Sequence, residues 1–171
     1  MTAYEGQERI SPAADGAVCV GTGEFAIATY PEVLMTPALG SCIGLTLFDP
    51  FRHTGGLAHV MLPSPADSAS KGSLDRFASH AVPCIVRLLS HKGARRRLVA
   101  KLTGGATMFK GDSRFAGIGD RNIEEVRKQL ALLGIPILAE DTGGNHARTV
   151  EFHLDTGLVI VRSYRYGMKE L

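Results

Sequence analysis

Cys42-Ile43-Gly44-Leu45-Thr46-Leu47-Phe48, then Asp49-Pro50-Phe51-Arg52, then Leu57-Ala58-His59-Val60-Met61-Leu62: this stretch decides how the chain folds. In the first run Ile43, Leu45 and Leu47 alternate with small or polar residues, the period-2 pattern of a half-buried strand. The last run reads as its partner. Between them, proline presets its own backbone angle and aspartate bonds back to the chain, so a turn and a β-hairpin follow. If the turn is the four residues from Asp49 to Arg52, Cys42 stands directly across from His59. If the loop is two residues longer, Cys42 faces Met61 and His59 becomes its diagonal neighbour. Either register puts both side chains on one face, whereas a slip of one residue would separate them.

Outward from the hairpin, Glu24 to Tyr30 has strand character and Pro31 turns it. Residues Ser73 to Lys92 keep helical spacing through Leu74, Phe77, Ala81, Ile85, Leu88 and Leu89, with Gly93 as the stop. Pro83 implies a kink there, or two helical pieces with Pro83 near the start of the second. Leu98 to Thr103 reads as a strand. Asn122 suits the N-cap of a second helix striped by Ile123, Val126, Leu130 and Leu133 and ended by Gly134. Ile135 to Glu140, Thr149 to Leu154 and Leu158 to Ser163 read as further strands. Helices and strands mix without regular alternation or internal repeat, which predicts a mixed α/β or α+β domain. The expected organisation is a loose leader over residues 1–20 and one folded domain over residues 21–171.

Composition narrows the function. Of 171 residues, 44% are hydrophobic and 21% charged, ordinary values for a globular domain. A net charge of +2, no tryptophan and 6% aromatics supply neither the field nor the stacking surfaces of a nucleic-acid binder. The local basic cluster of Lys92 with Arg95-Arg96-Arg97 reads as a solvated loop or strand start. The start of the chain lacks the pattern of a signal peptide, and no run approaches the roughly 18 apolar residues of a membrane span. A cytoplasmic protein without direct membrane insertion is expected. Three widely spaced cysteines, Cys19, Cys42 and Cys84, fit reduced thiols better than a disulfide framework or structural zinc.

Chemistry concentrates on the hairpin. Cys42 follows Leu39-Gly40-Ser41, a glycine-containing turn that can expose a thiol where the chain enters a strand. Taken alone, a cysteine before an apolar strand is usually a small buried hydrophobe. His59 interrupts an apolar strand, where an imidazole must be paired or useful. A thiol and an imidazole within reach form the minimal cysteine-hydrolase pair, the imidazole lowering the thiol pKa and later protonating the leaving amine. A core histidine satisfied by a backbone carbonyl is the alternative. A third polar group should orient the ring. Thr36 lies just before the Cys42 turn, with Thr46, Asp67 and Thr103 as rivals, and it could equally cap a turn before Pro37. The remaining histidines lack metal-ligand spacing, so no metal is expected, and Gly104-Gly105 and Gly143-Gly144 match no phosphate loop, so no cofactor is expected either.

The same residues carry a family resemblance. Leu39-Gly40-Ser41-Cys42-Ile43-Gly44, Phe48-Asp49-Pro50 and Gly55-Gly56-Leu57-Ala58-His59-Val60-Met61-Leu62-Pro63 closely resemble the signature of the CheD family. The likeness continues at Lys101-Leu102-Thr103-Gly104-Gly105-Ala106 with Met108-Phe109, at Ile118-Gly119-Asp120-Arg121-Asn122 and at Ala139-Glu140-Asp141-Thr142-Gly143-Gly144. It implies a glutamine deamidase acting on methyl-accepting chemoreceptors, with Cys42 as nucleophile, His59 as its base and Thr36 upstream. Backbone N–H groups around Ser41-Cys42 would then hold the oxyanion, with Ser41 and Gly40 as substrate-binding or oxyanion residues. The resemblance also implies a single α/β sandwich similar to the catalytic domain of the cytotoxic necrotizing factors, and a CheC-type phosphatase as protein partner. The chain departs from the family pattern at Thr103, where phenylalanine is common, at Pro83, and at Arg76-Phe77-Ala78-Ser79, which lacks an acidic residue. Two other readings stand beside it: a binding module with a silent site, and a different cysteine hydrolase such as a transglutaminase.

Overall fold

The computed structural model describes residues 11–12, 16–68, 72–91, 97–108 and 117–171. In chain order its strands are β1 (Ser11–Pro12), β2 (Val18–Cys19), β3 (Phe25–Thr29), β4 (Val33–Leu39), β5 (Ile43–Asp49), β6 (Thr54–Val60), β7 (Val99–Gly104), β8 (Ile137–Thr142), β9 (Arg148–His153), β10 (Val159–Ser163) and β11 (Gly167–Glu170). Helix α1 (Ala78–His91) lies between β6 and β7, and α2 (Ile118–Leu132) between β7 and β8. The strands form two sheets, ordered β1-β2-β4-β9-β10-β11 and β3-β6-β5-β7-β8. The expected mixed α/β sandwich is found, as three layers: the first sheet, the second sheet, then the helices.

The hairpin β5–β6 is the middle of this stack. Its register pairs Gly44 with His59 and Ile43 with Val60, the second of the two alternatives above. The turn chemistry holds, since the Asp49 carboxylate accepts from the N–H of Phe51 at 2.9 Å. The hairpin is not half-buried, however: every residue of both strands is buried. Ile43, Leu45, Leu47, Ala58 and Val60 pack with Ala81, Val82, Ile85 and Leu89 of α1 and with Val126 and Leu130 of α2. Phe48 and Leu57 pack instead with Leu34 and Leu39 of β4, Val150 and Phe152 of β9, and Val159 and Val161 of β10. Alternation tells one face of a strand from the other, but not what covers each.

Close layer approach needs Gly55 and Gly56. A β-carbon on Gly56 would lie 2.5 Å from Ile85 of α1, and one on Gly55 2.6 Å from the Leu47 carbonyl oxygen and 2.8 Å from the Phe152 ring. One glycine admits the helix layer and its neighbour admits the other sheet.

Several expectations need correction. The helical run over Ser73 to Lys92 splits into a 3-10 turn (Leu74–Arg76) and α1, with Pro83 inside α1. Gly93, its expected stop, lies outside the described residues, as do Lys92, Arg95, Arg96 and Phe109. Helix α2 begins four residues before Asn122, behind Gly117 at φ +68°, so Asn122 is an interior residue and not the cap. Gly134 ends that helix as expected, at φ +68°. Sequence reading missed β4, whose Pro37 argues against a strand. Here Pro37 falls where the pairing with β9 shifts register between Thr36 and Leu39, next to Ala38 at φ +57°, so the bulge accommodates it. From the stretch read as leader, Val18 and Val20 enter the sheet–sheet core.

Gly55→Ala should destabilise the fold by about 1–3 kcal/mol, because the neighbouring carbonyl cannot move aside as a side chain would. Urea titration should show a lower midpoint with an unchanged slope.

Candidate active site

Strand β4 belongs to one sheet and β5 to the other, so the chain crosses between layers in three residues, Gly40, Ser41 and Cys42. This places the half-buried thiol of Cys42 at the edge of the sheet–sheet interface, packed against its core. Backbone contacts fix the crossing. Ala106 N–H donates to the Gly40 carbonyl and Gly105 N–H to the Cys42 carbonyl, both at 2.8 Å. Gly104 permits this approach: it sits at φ +104°, and a β-carbon there would lie 2.2 Å from the Cys42 oxygen. Gly40 packs closely too: a β-carbon there would lie 3.0 Å from the Met108 side chain, which would have to give way slightly. Ser41 lines a shallow cleft with Ala106, Thr107, Met108, Gly117 and Ile118.

His59 and Thr36 meet across the two sheets. Thr36 Oγ1 lies 2.7 Å from His59 Nδ1 and 2.8 Å from the carbonyl oxygen of Val20. The carbonyl can only accept, so the hydroxyl proton goes to Val20. Nδ1–H of the neutral imidazole then donates to Thr36. This network assigns the tautomer and leaves a lone pair on Nε2, which is buried and has no hydrogen-bond partner among the described residues. Gly44 pairs with His59, so Cys42, two positions earlier on the same face, is its diagonal neighbour. The rivals for Thr36 are engaged elsewhere. Thr46 bonds the Lys101 carbonyl and Asp67 pairs with Arg121, while Thr103 is separated from His59 by Gly44 in the cross-strand row.

Burial pushes the Cys42 thiol up from 9.0 to about 11 and the His59 imidazole down from 6.5 to about 4. Burial alone sets both shifts, and the thiol stands above its ordinary value rather than below it. Desolvation disfavours both charged forms, and the two groups rest as neutral thiol and neutral imidazole.

Sequence reading missed one residue of this site altogether. The Asn122 side chain, fully buried, donates from Nδ2 to the carbonyls of Ser41 and Met61, each at 2.9 Å. It passed for a helix cap because asparagine before an apolar stripe is the ordinary cap signal. Its signal as an interior residue was its place on the buried side of the helix, one position before Ile123. The other histidines disperse: His53 bonds the Asp155 carbonyl, His80 lies near Asp75, and His153 near Glu151. Among the described residues no three His, Cys, Asp or Glu side chains gather as metal ligands, and no helix is long and apolar enough to cross a membrane.

Fold and site together define a three-layer domain with a half-buried thiol at a sheet-to-sheet crossing, beside an imidazole tethered by a hydroxyl. The chain belongs to the CheD family: residues 61–163 match the family model described as CheD chemotactic sensory transduction. Among curated proteins it is 44% identical to "Probable chemoreceptor glutamine deamidase CheD 2" of Geobacter metallireducens, over 90% of this chain and 98% of the relative. It is likewise 44% identical to "Chemoreceptor glutamine deamidase CheD" of Thermotoga maritima, over 86% of this chain and 92% of the relative. Matches of that extent necessarily include the stretch from Thr36 to His59, which precedes the part matched by the family model.

Alkylation of Cys42 by iodoacetamide should be slow at pH 7, with its rate rising toward a midpoint near pH 11, read by peptide mapping. A plateau by pH 8 would contradict the burial effect. For His59, whose folded pKa is lowered, the unfolded state takes up the proton first as pH falls. Stability is thus full above about pH 6.5 and falls as pH drops toward 4. The expected loss is on the order of 3 kcal/mol. Urea titrations across that window should show a flatter profile for His59→Gln.

Proposed function

We propose that this chain hydrolyses glutamine side chains of chemoreceptors to glutamate through a Cys42 thioester. The observation that carries this reading is the Thr36–His59 hydrogen bond, which leaves a lone pair at Nε2 on the face shared with Cys42. The names of the relatives support the substrate class.

Cys42 Sγ attacks the side-chain carbonyl carbon as its proton passes to His59 Nε2, so the thiolate forms during attack rather than before it. This suits a thiol that burial keeps neutral at rest. The imidazolium then gives its proton to the departing nitrogen, the carbon–nitrogen bond breaks and ammonia leaves. Water enters and loses a proton to Nε2, and its oxygen attacks the thioester. The carbon–sulfur bond breaks, glutamate is released and Cys42 regains its proton. Thr36 acts as a positioning residue, holding the tautomer with Nε2 unprotonated. For the oxyanion, the carbonyls of Gly40 and Ser41 are turned toward donors on the β7–α2 side. Peptide planarity then aims the N–H groups of Ser41 and Cys42 the other way, available to substrate oxygen.

Mass spectrometry of receptor cytoplasmic fragments should show glutamine-to-glutamate conversion by the wild type. Cys42→Ala should lose at least about ten-thousand-fold in rate while keeping its melting temperature. Retained conversion in that variant would sink the assignment. Thr36→Val should lose on the order of a hundred-fold in kcat, and Thr36→Ser, which keeps the hydroxyl, should recover most of it.

A further inference from the structure

Asn122 spends both protons of one nitrogen on two carbonyls, one in the β4–β5 crossing and one just past the end of β6. One belongs to Ser41, immediately before the thiol, and the other to Met61, two residues beyond His59. The residue is fully buried, and its Oδ1 has no hydrogen-bond partner among the described residues. A buried asparagine in a helix interior has weak helix propensity and here leaves an acceptor unmet, so local stability does not account for it. The approach of α2 is itself built for this contact. A β-carbon on Gly119 would lie 2.4 Å from the Gly105 carbonyl oxygen, so only glycine brings the first turn of α2 against the segment that holds the crossing. Asn122 follows three residues later, on the same side of the helix.

The Ser41 carbonyl and the Cys42 N–H are opposite ends of one rigid trans peptide. Holding the oxygen toward α2 directs the N–H away from it, and a bond accepted at the oxygen polarises the peptide and strengthens that N–H as a donor. We infer that Asn122 is a positioning residue for the reaction: by locking the Ser41–Cys42 peptide it aims the Cys42 N–H at the developing oxyanion. Its second bond, to Met61, ties this orientation to the strand that carries His59. No other side chain of this size fits the role. Aspartate has no proton to give, and serine has one.

The inference rests on the deamidase reading, and the test separates the two. Wild type, Asn122→Ala and Asn122→Ser are compared as full chains on receptor fragments for kcat and KM, alongside melting temperature and the iodoacetamide rate at Cys42. Alkylation needs the thiol but no oxyanion donor. A folded Asn122→Ala should lose about 100- to 1,000-fold in kcat with KM within about twofold, the size of effect seen when one oxyanion donor is lost. Its alkylation rate should stay at the wild-type value, and Asn122→Ser should recover part of kcat. A folded Asn122→Ala with kcat within about threefold of wild type overturns the inference. So does a kcat loss matched by an equal change in alkylation, or loss of folding in both variants, since each would make the residue structural. Wild type that leaves receptor glutamines unchanged, or Cys42→Ala that still converts them, would instead bring down the deamidase reading and this inference with it.

Discussion

A hairpin covered on both faces has no solvent side on which to place a polar group, and the structure turns on that constraint. Every residue of β5 and β6 is buried, so His59 can persist there only if its ring is satisfied from within. Thr36 reaches it from the other sheet and is satisfied in turn by the Val20 carbonyl. The chain of bonds ends there, and one nitrogen of the imidazole is left over. In an ordinary core such an orphan is a defect; here it lies on the face shared with Cys42, and the proposed reaction uses it as the base.

The crossing that carries the thiol is governed by backbone rather than side chains. Three successive carbonyls, of Gly40, Ser41 and Cys42, are each met by a donor, two of them main-chain N–H groups from Gly105 and Ala106. The glycines around them serve approach distance. A side chain at Gly104 would strike the Cys42 oxygen, whereas one at Gly40 would only crowd the Met108 side chain. Motifs that look like interchangeable small-residue turns are thereby distinguished by what each lets come close.

Much of this was legible in the sequence, for identifiable reasons. Strand parity is a rule of two, so either of the two registers that differ by two residues puts Cys42 and His59 on one face, and the observed register keeps them there. The strand supplying Thr36 was hidden, because Pro37 reads as a break and the bulge that tolerates it depends on pairing with β9, over a hundred residues away. Asn122 was misread for the opposite reason: its local signal was good, but the helix starts earlier, at a glycine that offers no side-chain cap. The direction of the thiol shift was also out of reach, since a neighbouring imidazole is visible in sequence and the depth of burial is not.

The passage of β4 into β5 has a consequence for the timing of chemistry during folding. Thr36 and His59 belong to different sheets, so no single sheet, however well formed, contains their bond. A chain in which only the sheet of β5 and β6 has assembled has Cys42 and His59 on one face but lacks the Thr36 bond to the imidazole. The tether that fixes the imidazole therefore forms only when the two sheets dock.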